Sequence, residues 1–256
     1  MKANNFKELK KNSHKWSMIT AYDYPFSKLA AQAEIEFILV GDSGANVVLG
    51  LDSTCDIGMA EMLMFCGAVK RGISGTKTQV VVDMPWGADH GVENAVKNAK
   101  LFIQEGADFV KLEGPRFDEI KAIVSEDIAV VGHLGLTPQT ATSWKQAAKK
   151  EDEQNQLIAD ALEIEKAGAS LLVLEHIPSE IARRVTQALT IPTIGIGAGR
   201  YTDGQVLVLH DMLGISEKIP PIAKAFNNLR TPIFENFKEY NQWVKSGCLD
   251  HPTELH

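Results

Sequence analysis

Short apolar runs that end at a polar or ionisable residue recur along the chain. One of them, FILV at 37–40, leads through Gly41 into Asp42 and Ser43. A continuous apolar run of this length is typical of a strand that is buried on both faces, as in a parallel sheet. We expect the chemically active side chains at the ends of such runs. Four further runs end in the same way, at Asp83, at Lys111 with Glu113, at His133, and at Glu175.

Segments in which apolar residues have helical spacing alternate with the predicted strands. This alternation indicates an α/β protein with a parallel sheet and helical crossovers. A count of eight strands favours a closed (β/α)8 TIM barrel over an open, doubly wound sheet. The predicted strands are 16–21, 37–43, 80–83, 109–113, 128–132, 171–174, 193–197 and 206–209.

The two ends of the chain are predicted to add helices to this barrel. A polar lead-in helix occupies the first dozen residues, and two helices close the chain near 220–229 and 232–246. The length of 256 residues is usual for one such barrel. Because no linker rich in Pro, Ser or Gly divides the sequence, we expect a single domain over 1–256.

Three acidic residues, Asp42, Asp83 and Glu113, lie at different predicted strand ends. The carboxyl ends of the strands in a parallel barrel share one face, which holds the active site. Magnesium prefers oxygen ligands, keeps several waters and usually takes one or two carboxylates directly. We therefore predict a Mg²⁺ site in which Asp42 and Asp83 bind the ion and Glu113 binds it through water. The alternative is that these acids cap helices or pair with lysines.

Further side chains at the strand ends are candidate substrate-binding groups. Lys111 lies two residues before Glu113, so both face the same side of a strand, and a cation beside a metal suits a substrate carboxylate. Ser43 can donate to the same carboxylate, Asp83 belongs to this set as well as to the metal set, and His133 can orient the substrate. The alternatives are a Lys111–Glu113 ion pair, a helix N-cap at Ser43 and a satisfied core histidine at His133.

Glu175 is the candidate general base. It follows four apolar residues at the end of a predicted strand. Proton transfer by a positioned side chain typically contributes about 10²- to 10⁴-fold to a rate. A bound metal adds several kcal/mol through charge stabilisation. We therefore expect the base and the metal to be needed together.

Charge and cysteine usage limit the possible partners. The formal net charge of -7 argues against a nucleic acid or a membrane surface, because both need a basic patch. The three cysteines, Cys55, Cys66 and Cys248, form no CxxC pair, so we expect reduced thiols rather than disulfides or a zinc site.

The amino end lacks the apolar core of a signal peptide, and no stretch approaches the roughly 18 apolar residues of a membrane span. We expect a cytoplasmic protein.

A series of motifs, in order along nearly the whole chain, resembles the ketopantoate hydroxymethyltransferase family. The resemblance implies a (β/α)8 barrel of the phosphoenolpyruvate mutase/isocitrate lyase type. It also implies Mg²⁺-dependent transfer of a hydroxymethyl group from 5,10-methylenetetrahydrofolate to 3-methyl-2-oxobutanoate, giving 2-dehydropantoate in pantothenate synthesis. The motifs are ITAYDYPF (19–26), ILVGDS (38–43), VVLGLDST (47–54), VVVDMPWG (80–87), VKLEG (110–114), GHLGLTPQ (132–139), LVLEHIP (172–178), IPTIGIGAG (191–199) and DGQVLVLHDMLGI (203–215).

The resemblance also implies roles for residues of this chain. Its small-molecule partners would be a 2-oxoacid and a folate, and the assembly would be a homodecamer of two stacked pentamers. The matching positions are Asp42 and Asp83 as metal ligands, Glu113 beside the metal, Ser43 and Lys111 as oxoacid-binding groups, His133 as a substrate-lining group and Glu175 as the base.

Two segments depart from the family pattern. GDSGAN at 41–46 stands where the family has GDSLGM, and SWKQAAKKEDE at 143–153 stands where it has GGYKVQGR. These departures leave two alternatives open. One is a folate-independent lyase or aldolase, and the other is a paralogous hydroxymethyltransferase that acts on a related 2-oxoacid.

Overall fold

The structure of the chain is a computed structural model that describes residues 3–141 and 143–247. Contacts between residues divide the chain into two compact units, Met1–Leu209 and His210–His256. The first unit contains a closed barrel of eight parallel strands that follow one another in sequence order, so the predicted (β/α)8 barrel is confirmed. The strands are β1 (Trp16–Thr20), β2 (Phe37–Val40), β3 (Gln79–Asp83), β4 (Phe109–Glu113), β5 (Ala129–Gly135), β6 (Leu171–Glu175), β7 (Thr193–Ile196) and β8 (Gly204–Leu207).

Helices alternate with most of these strands. In the part of the chain that the structure describes, no helix combines the length and the apolar character needed to cross a membrane. The helices are α1 (Ala3–Lys11), α2 (Tyr24–Gln32), α3 (Gly44–Val47), α4 (Met59–Gly72), α5 (Val92–Glu105), α6 (Phe117–Ser125), α7 (Glu151–Lys166), α8 (Ser179–Ala188), α9 (Leu209–Met212) and α10 (Arg230–Lys245), with a 3₁₀ turn at Thr54–Asp56.

Local sequence signals account for two of the helix ends. The helix α2 begins after Asp23, whose Oδ1 accepts a hydrogen bond from the backbone N–H of Phe26 at 2.9 Å, as an N-cap residue does. Pro25 stands in the first turn, where its missing N–H costs nothing. The helix α5 ends at Gly106, which has φ of 109°, a left-handed conformation that glycine adopts without strain.

The helix α1 confirms the predicted lead-in helix and packs against the amino ends of the strands. The Phe6 ring is fully buried, with its centroid 5.8 Å from that of Phe37 and 5.9 Å from that of Phe109. These two residues are the first of β2 and β4. Because α1 covers the amino ends, the opposite ends of the strands are left for the active site.

The prediction of a helix near 220–229 is wrong, since these residues are irregular in the structure. Pro220 and Pro221 have no backbone N–H, and each restricts the residue before it, which disfavours a helix here. The backbone N–H of Phe226 instead donates to the carbonyl oxygen of Met212 at 2.8 Å. The last predicted helix is confirmed as α10. Cys248 lies outside the described residues.

Alternate residues of the strands fill the barrel with apolar side chains. Side chains of a strand point alternately to its two faces, so residues two apart share the interior. The interior cluster consists of Phe6, Trp16, Met18, Phe37, Leu39, Val81, Phe109, Val131, Leu171, Val173, Ile194 and Val206, all of which are buried. This apolar filling closes the barrel below its carboxyl ends and provides a rigid floor for the residues above it.

Candidate active site

Along each of several strands, the side chains that face the barrel interior change from apolar to polar at the carboxyl end. In β3, Asp83 follows the interior residue Val81 by two positions. In β4, Lys111 and Glu113 follow the interior residue Phe109 by two and four positions. The same step of two leads from the interior residues of β5 and β6 to His133 and Glu175. The predicted gathering of strand-end residues on one face is therefore a consequence of the two-residue period of the strands.

The register of neighbouring strands sets the pairs of side chains that meet. Asp83 of β3 is the direct partner of Lys111 of β4, and Glu113 of β4 is the direct partner of His133 of β5. The strand β5 extends to Gly135, beyond its predicted end, so His133 lies inside the strand rather than after it. The barrel thus fixes the positions of these four side chains through backbone hydrogen bonds.

Lys111 and Asp83 form a buried ion pair. The Lys111 Nζ lies 2.6 Å from Oδ1 of Asp83, while Oδ2 of Asp83 accepts a hydrogen bond from the backbone N–H of Asp42 at 3.0 Å. Burial acts to lower the pKa of Lys111, but the carboxylates of Asp83, Asp42 and Glu113 outweigh it and raise that pKa. The ammonium therefore remains charged at neutral pH, and its partner is Asp83 rather than the Glu113 of the alternative prediction.

Asp42 lies beside this pair with little compensation of its charge. Its Oδ2 accepts a hydrogen bond from Nε2 of Gln139 at 2.8 Å. Burial, followed by the neighbouring Asp83 carboxylate, raises the pKa of Asp42 to about 7. Two buried carboxylates in this arrangement favour the approach of a cation, because like charges close together disfavour ionisation of both groups.

The acids fit a magnesium ion with two protein carboxylates. In the described part of the chain, no three His, Cys, Asp or Glu side chains are arranged to hold a metal ion between them. Mg²⁺ usually keeps several waters and takes one or two carboxylates, which Asp42 and Asp83 can supply. The metal assignment of Asp42, Asp83 and Glu113 stays a prediction.

His133 lies between two carboxylates. Its Nδ1 is 3.4 Å from Oε2 of Glu113, and its Nε2 is 3.3 Å from Oε2 of Glu175. Neither contact has the geometry of a hydrogen bond, yet each ring nitrogen faces a carboxylate oxygen. Burial and the Lys111 ammonium act to lower the pKa of His133, but the two carboxylates outweigh them and raise it to about 9.

Glu113 is held in place from two sides. Its Oε1 accepts a hydrogen bond from the backbone N–H of Gln139 at 2.8 Å, and Oε2 faces His133. Burial acts to raise the pKa of Glu113, but the adjacent His133 outweighs it and lowers that pKa. The row Glu113–His133–Glu175 therefore places one imidazole between two carboxyl groups.

Ser43 does not cap the helix that follows it. Although it precedes α3, its side chain makes no capping hydrogen bond there and instead lies 2.9 Å from the Tyr22 hydroxyl. The Tyr22 hydroxyl donates to Oγ1 of Thr20 at 2.9 Å, and a phenol has a single hydrogen, so Ser43 donates to Tyr22. Ser43 stands at the N-cap position, but its side chain does not play the capping role that was the alternative to substrate binding. A Cβ on Gly41 would lie 2.7 Å from Oγ of Ser43, so this glycine leaves room for the hydroxyl.

The structure adds two groups that the sequence reasoning missed. Gln139 contacts both Asp42 and Glu113; it ends the GHLGLTPQ motif, but the motif was not linked to any role for this amide. Tyr22 and Thr20 lie at the carboxyl end of β1. They follow the same strand-end rule as the acids, and applying that rule to β1 would have identified them.

The chain is similar to one family of proteins over nearly its whole length. The family model described as Ketopantoate hydroxymethyltransferase matches residues 1–253. The 3-methyl-2-oxobutanoate hydroxymethyltransferase of Staphylothermus marinus is 44% identical over 245 residues, covering 93% of this chain and 90% of the relative. The protein of the same name from Listeria innocua is 47% identical over 249 residues, covering 94% of this chain and 89% of the relative.

A solved structure shares the fold at low sequence identity. The crystal structure of 2,3-dimethylmalate lyase, a PEP mutase/isocitrate lyase superfamily member, matches with a TM-score of 0.63 and 16% identity. The match covers 99% of this chain and 91% of that chain. The chain therefore shares the barrel fold of this superfamily member.

Proposed function

The chain belongs to the ketopantoate hydroxymethyltransferase family, and on that premise we propose that it is a 3-methyl-2-oxobutanoate hydroxymethyltransferase of pantothenate synthesis. The proposed reaction transfers a hydroxymethyl group from 5,10-methylenetetrahydrofolate to 3-methyl-2-oxobutanoate and gives 2-dehydropantoate. The observation that carries the proposal is the buried set of two aspartates, one lysine and a carboxylate–imidazole–carboxylate row at one end of the barrel.

Lys111 and Ser43 would hold the oxoacid. Lys111 remains protonated in its buried position, and a buried ammonium binds a carboxylate far more strongly than one in water. Ser43 carries a hydroxyl hydrogen that points to Tyr22 in the free protein and can turn to a substrate carboxylate. Together these two groups favour a small anionic substrate at this end of the barrel.

Asp42 and Asp83 would hold Mg²⁺, with Glu113 contacting it through water. The bound ion would supply a Lewis acid that polarises the keto group of the oxoacid and so acidifies the adjacent C–H bond. Asp83 is also the partner of Lys111, so it links the groups that would bind the ion to those that would bind the substrate.

Glu175 would remove the proton from C3 of the oxoacid. The electron pair of that C–H bond then forms the bond to the methylene carbon of the folate donor as one carbon–nitrogen bond of the donor breaks. Water replaces the second carbon–nitrogen bond and supplies the oxygen of the hydroxymethyl group, and tetrahydrofolate leaves with the proton from C3 and one proton from the water. The Nε2 of His133 lies 3.3 Å from Oε2 of Glu175, so the imidazole is placed to orient the side chain of the base. A general base has to be held within reach of the proton that it removes.

Donor dependence tests this proposal. The purified protein is incubated with 3-methyl-2-oxobutanoate and Mg²⁺, with and without 5,10-methylenetetrahydrofolate, and 2-dehydropantoate is measured by mass spectrometry. We expect product only when the folate is present. Product formation or cleavage of a 2-oxoacid adduct without folate would identify a lyase or aldolase instead, and preference for another 2-oxoacid in a substrate panel would identify a paralogous transferase.

Cytoplasmic location and decameric assembly form the last part of the proposal and depend on the family resemblance. Light scattering after size-exclusion chromatography tests the assembly, since the chain has a mass of 28.0 kDa. We expect a particle of ten chains. A monomer or a dimer at micromolar concentration would contradict this part and leave the chemistry untouched.

A further inference from the structure

Gln139 makes hydrogen bonds to residues from several parts of the barrel mouth. It lies in the loop between β5 and α7. Its side-chain Nε2 donates to Oδ2 of Asp42 at 2.8 Å and to the carbonyl oxygen of Met84 at 3.0 Å. Its backbone N–H donates to Oε1 of Glu113 at 2.8 Å, and its carbonyl oxygen accepts from Sγ of Cys55 at 3.2 Å. One residue therefore connects the segments that follow β2 and β3 with the last residue of β4.

These contacts fix the orientation of the Gln139 amide. Both of its side-chain hydrogen bonds use the NH₂ group, and both acceptors are oxygens. A flipped amide would bring its carbonyl oxygen against the Asp42 carboxylate and the Met84 carbonyl, and no hydrogen would lie between them. The side chain is thus held as a donor to Asp42.

Gln139 is also the only protein group that donates to the Asp42 carboxylate within the described residues. The bond engages Oδ2 and directs the remaining lone pairs of the carboxylate. Asp83, in contrast, is oriented by two donors, the Lys111 ammonium and the backbone N–H of Asp42. The orientation of Asp42 therefore depends on Gln139 in a way that the orientation of Asp83 does not.

We propose that Gln139 is a positioning residue, which fixes the Asp42 carboxylate in the orientation that binds a divalent cation. This inference rests on the proposed function, because it assumes that Asp42 is a ligand of the ion. Groups that orient metal ligands are typically worth about 10- to 100-fold in metal affinity. Among the predicted metal ligands, the side chain of Gln139 contacts Asp42 alone, since the contact with Glu113 is made by the backbone.

The test replaces the amide with an apolar group of similar length. Gln139→Met removes both side-chain donors and keeps the backbone N–H that contacts Glu113. Mn²⁺, which prefers oxygen ligands as Mg²⁺ does, is titrated into chelator-treated protein and free Mn²⁺ is measured by electron paramagnetic resonance. We expect Gln139→Met to bind Mn²⁺ roughly 10- to 100-fold more weakly than wild type.

A second glutamine provides the matched control. Gln205 likewise makes two hydrogen bonds through Nε2, to the carbonyl oxygen of Gly199 at 2.9 Å and to Oγ1 of Thr202 at 2.8 Å. Gln205→Met therefore removes the same chemical group from partners that include no predicted metal ligand. We expect its affinity for Mn²⁺ to equal that of wild type.

Kinetics separate positioning from a general loss of structure. In Gln139→Met, the Mg²⁺ concentration that gives half-maximal rate should rise by the same factor as the Mn²⁺ dissociation constant. The rate at saturating Mg²⁺ should stay within a few-fold of wild type. Gln139→Leu serves as a second variant if circular dichroism shows that the methionine variant is unfolded.

The outcomes distinguish this inference from the proposed function. Equal Mn²⁺ affinity in wild type and in a folded Gln139 variant overturns the inference and leaves the proposed function intact. Failure of the wild-type protein to bind Mn²⁺ overturns the metal site of the proposed function, and the inference with it. Weakened binding in Gln139→Met and in Gln205→Met alike also overturns the inference, because the loss is then unspecific.

Discussion

The Nζ of Lys111 lies 2.6 Å from Oδ1 of Asp83, and both side chains are more than nine-tenths buried. The two residues are direct partners in neighbouring strands, so the barrel itself brings them together. A buried ion pair contributes little net stability compared with an apolar pair, but removing one partner leaves an uncompensated charge in the interior. Loss of Lys111 is therefore expected to be costly.

We predict that Lys111→Met lowers the free energy of unfolding by about 3–5 kcal/mol in metal-free buffer. Denaturant unfolding followed by circular dichroism measures this change. Lys100→Met is the control, because Lys100 pairs with Glu126 at 2.7 Å on the surface, where both side chains are nearly half exposed. That variant should change stability by less than about 1 kcal/mol. Equal effects of the two substitutions would mean that Asp83 is not left unpaired in the interior.

Magnesium should stabilise the folded chain through Asp42. A ligand that binds only the folded state at a hundred times its dissociation constant adds about 2.7 kcal/mol to the free energy of unfolding. We predict such a gain for wild type when Mg²⁺ is added after chelation, and no gain for Asp42→Asn. Asp108→Asn, which alters an acid that pairs with Lys70 at 3.2 Å, should keep the full response. A persistent response in Asp42→Asn would exclude Asp42 as a ligand.

Ser43 should affect binding of the oxoacid more than turnover. A hydrogen bond to a charged group is worth about 1.5–3 kcal/mol, so Ser43→Ala should raise KM for the oxoacid roughly 10- to 100-fold. Steady-state kinetics measure KM and kcat separately, and kcat should change much less. Ser53→Ala is the control, since Ser53 accepts a hydrogen bond from the backbone N–H of Cys55 and starts a 3₁₀ turn. An unchanged KM in Ser43→Ala would remove Ser43 from the substrate-binding set.

Cys66 should make stability depend on pH in the alkaline range. Burial, and secondarily Glu105, raises the pKa of the Cys66 thiol from 9.0 to about 12. The pKa of the thiol is higher in the folded state than in the unfolded state. The contribution of the buried thiol to the free energy of unfolding is therefore complete below pH 9 and is lost as the pH rises from 9 towards 12. The difference in unfolding free energy between wild type and Cys66→Ala should be constant from pH 7 to 8 and then fall by about 1.4 kcal/mol per pH unit. A difference that stays constant up to pH 10.5 would mean that the thiol is not buried.

The sequence was sufficient to predict the barrel and most of its mouth. Apolar runs that end in ionisable residues have a direct physical cause, because the inward rows of a parallel barrel turn polar where they meet the site. Asp83, Lys111 and Glu175 follow from this rule and from the two-residue period of strands. Their grouping at one end of the barrel needed no information beyond the sequence.

The contacts between these residues could not be predicted in the same way. The Lys111 side chain faces Asp83 rather than Glu113 because of strand register, which local sequence does not specify. Gln139 reaches Asp42 through the conformation of a loop, and loops have no period from which side-chain directions follow. Serine is a common N-cap residue, yet the Ser43 hydroxyl forms a hydrogen bond with the hydroxyl of Tyr22, which is distant in sequence.

Exchange of the C3 proton of 3-methyl-2-oxobutanoate in D₂O isolates proton removal by Glu175 from transfer of the one-carbon unit. We expect wild type with Mg²⁺ to remove the C3 proton signal from the NMR spectrum. We expect no loss of this signal in the presence of a chelator or with Glu175→Gln. Glu165→Gln, which alters an acid that accepts hydrogen bonds from the backbone N–H groups of Thr190 and Ile191, should exchange like wild type. If wild type leaves the C3 proton in place, or if Glu175→Gln exchanges it at the wild-type rate, Glu175 is not the base of a magnesium-dependent proton removal.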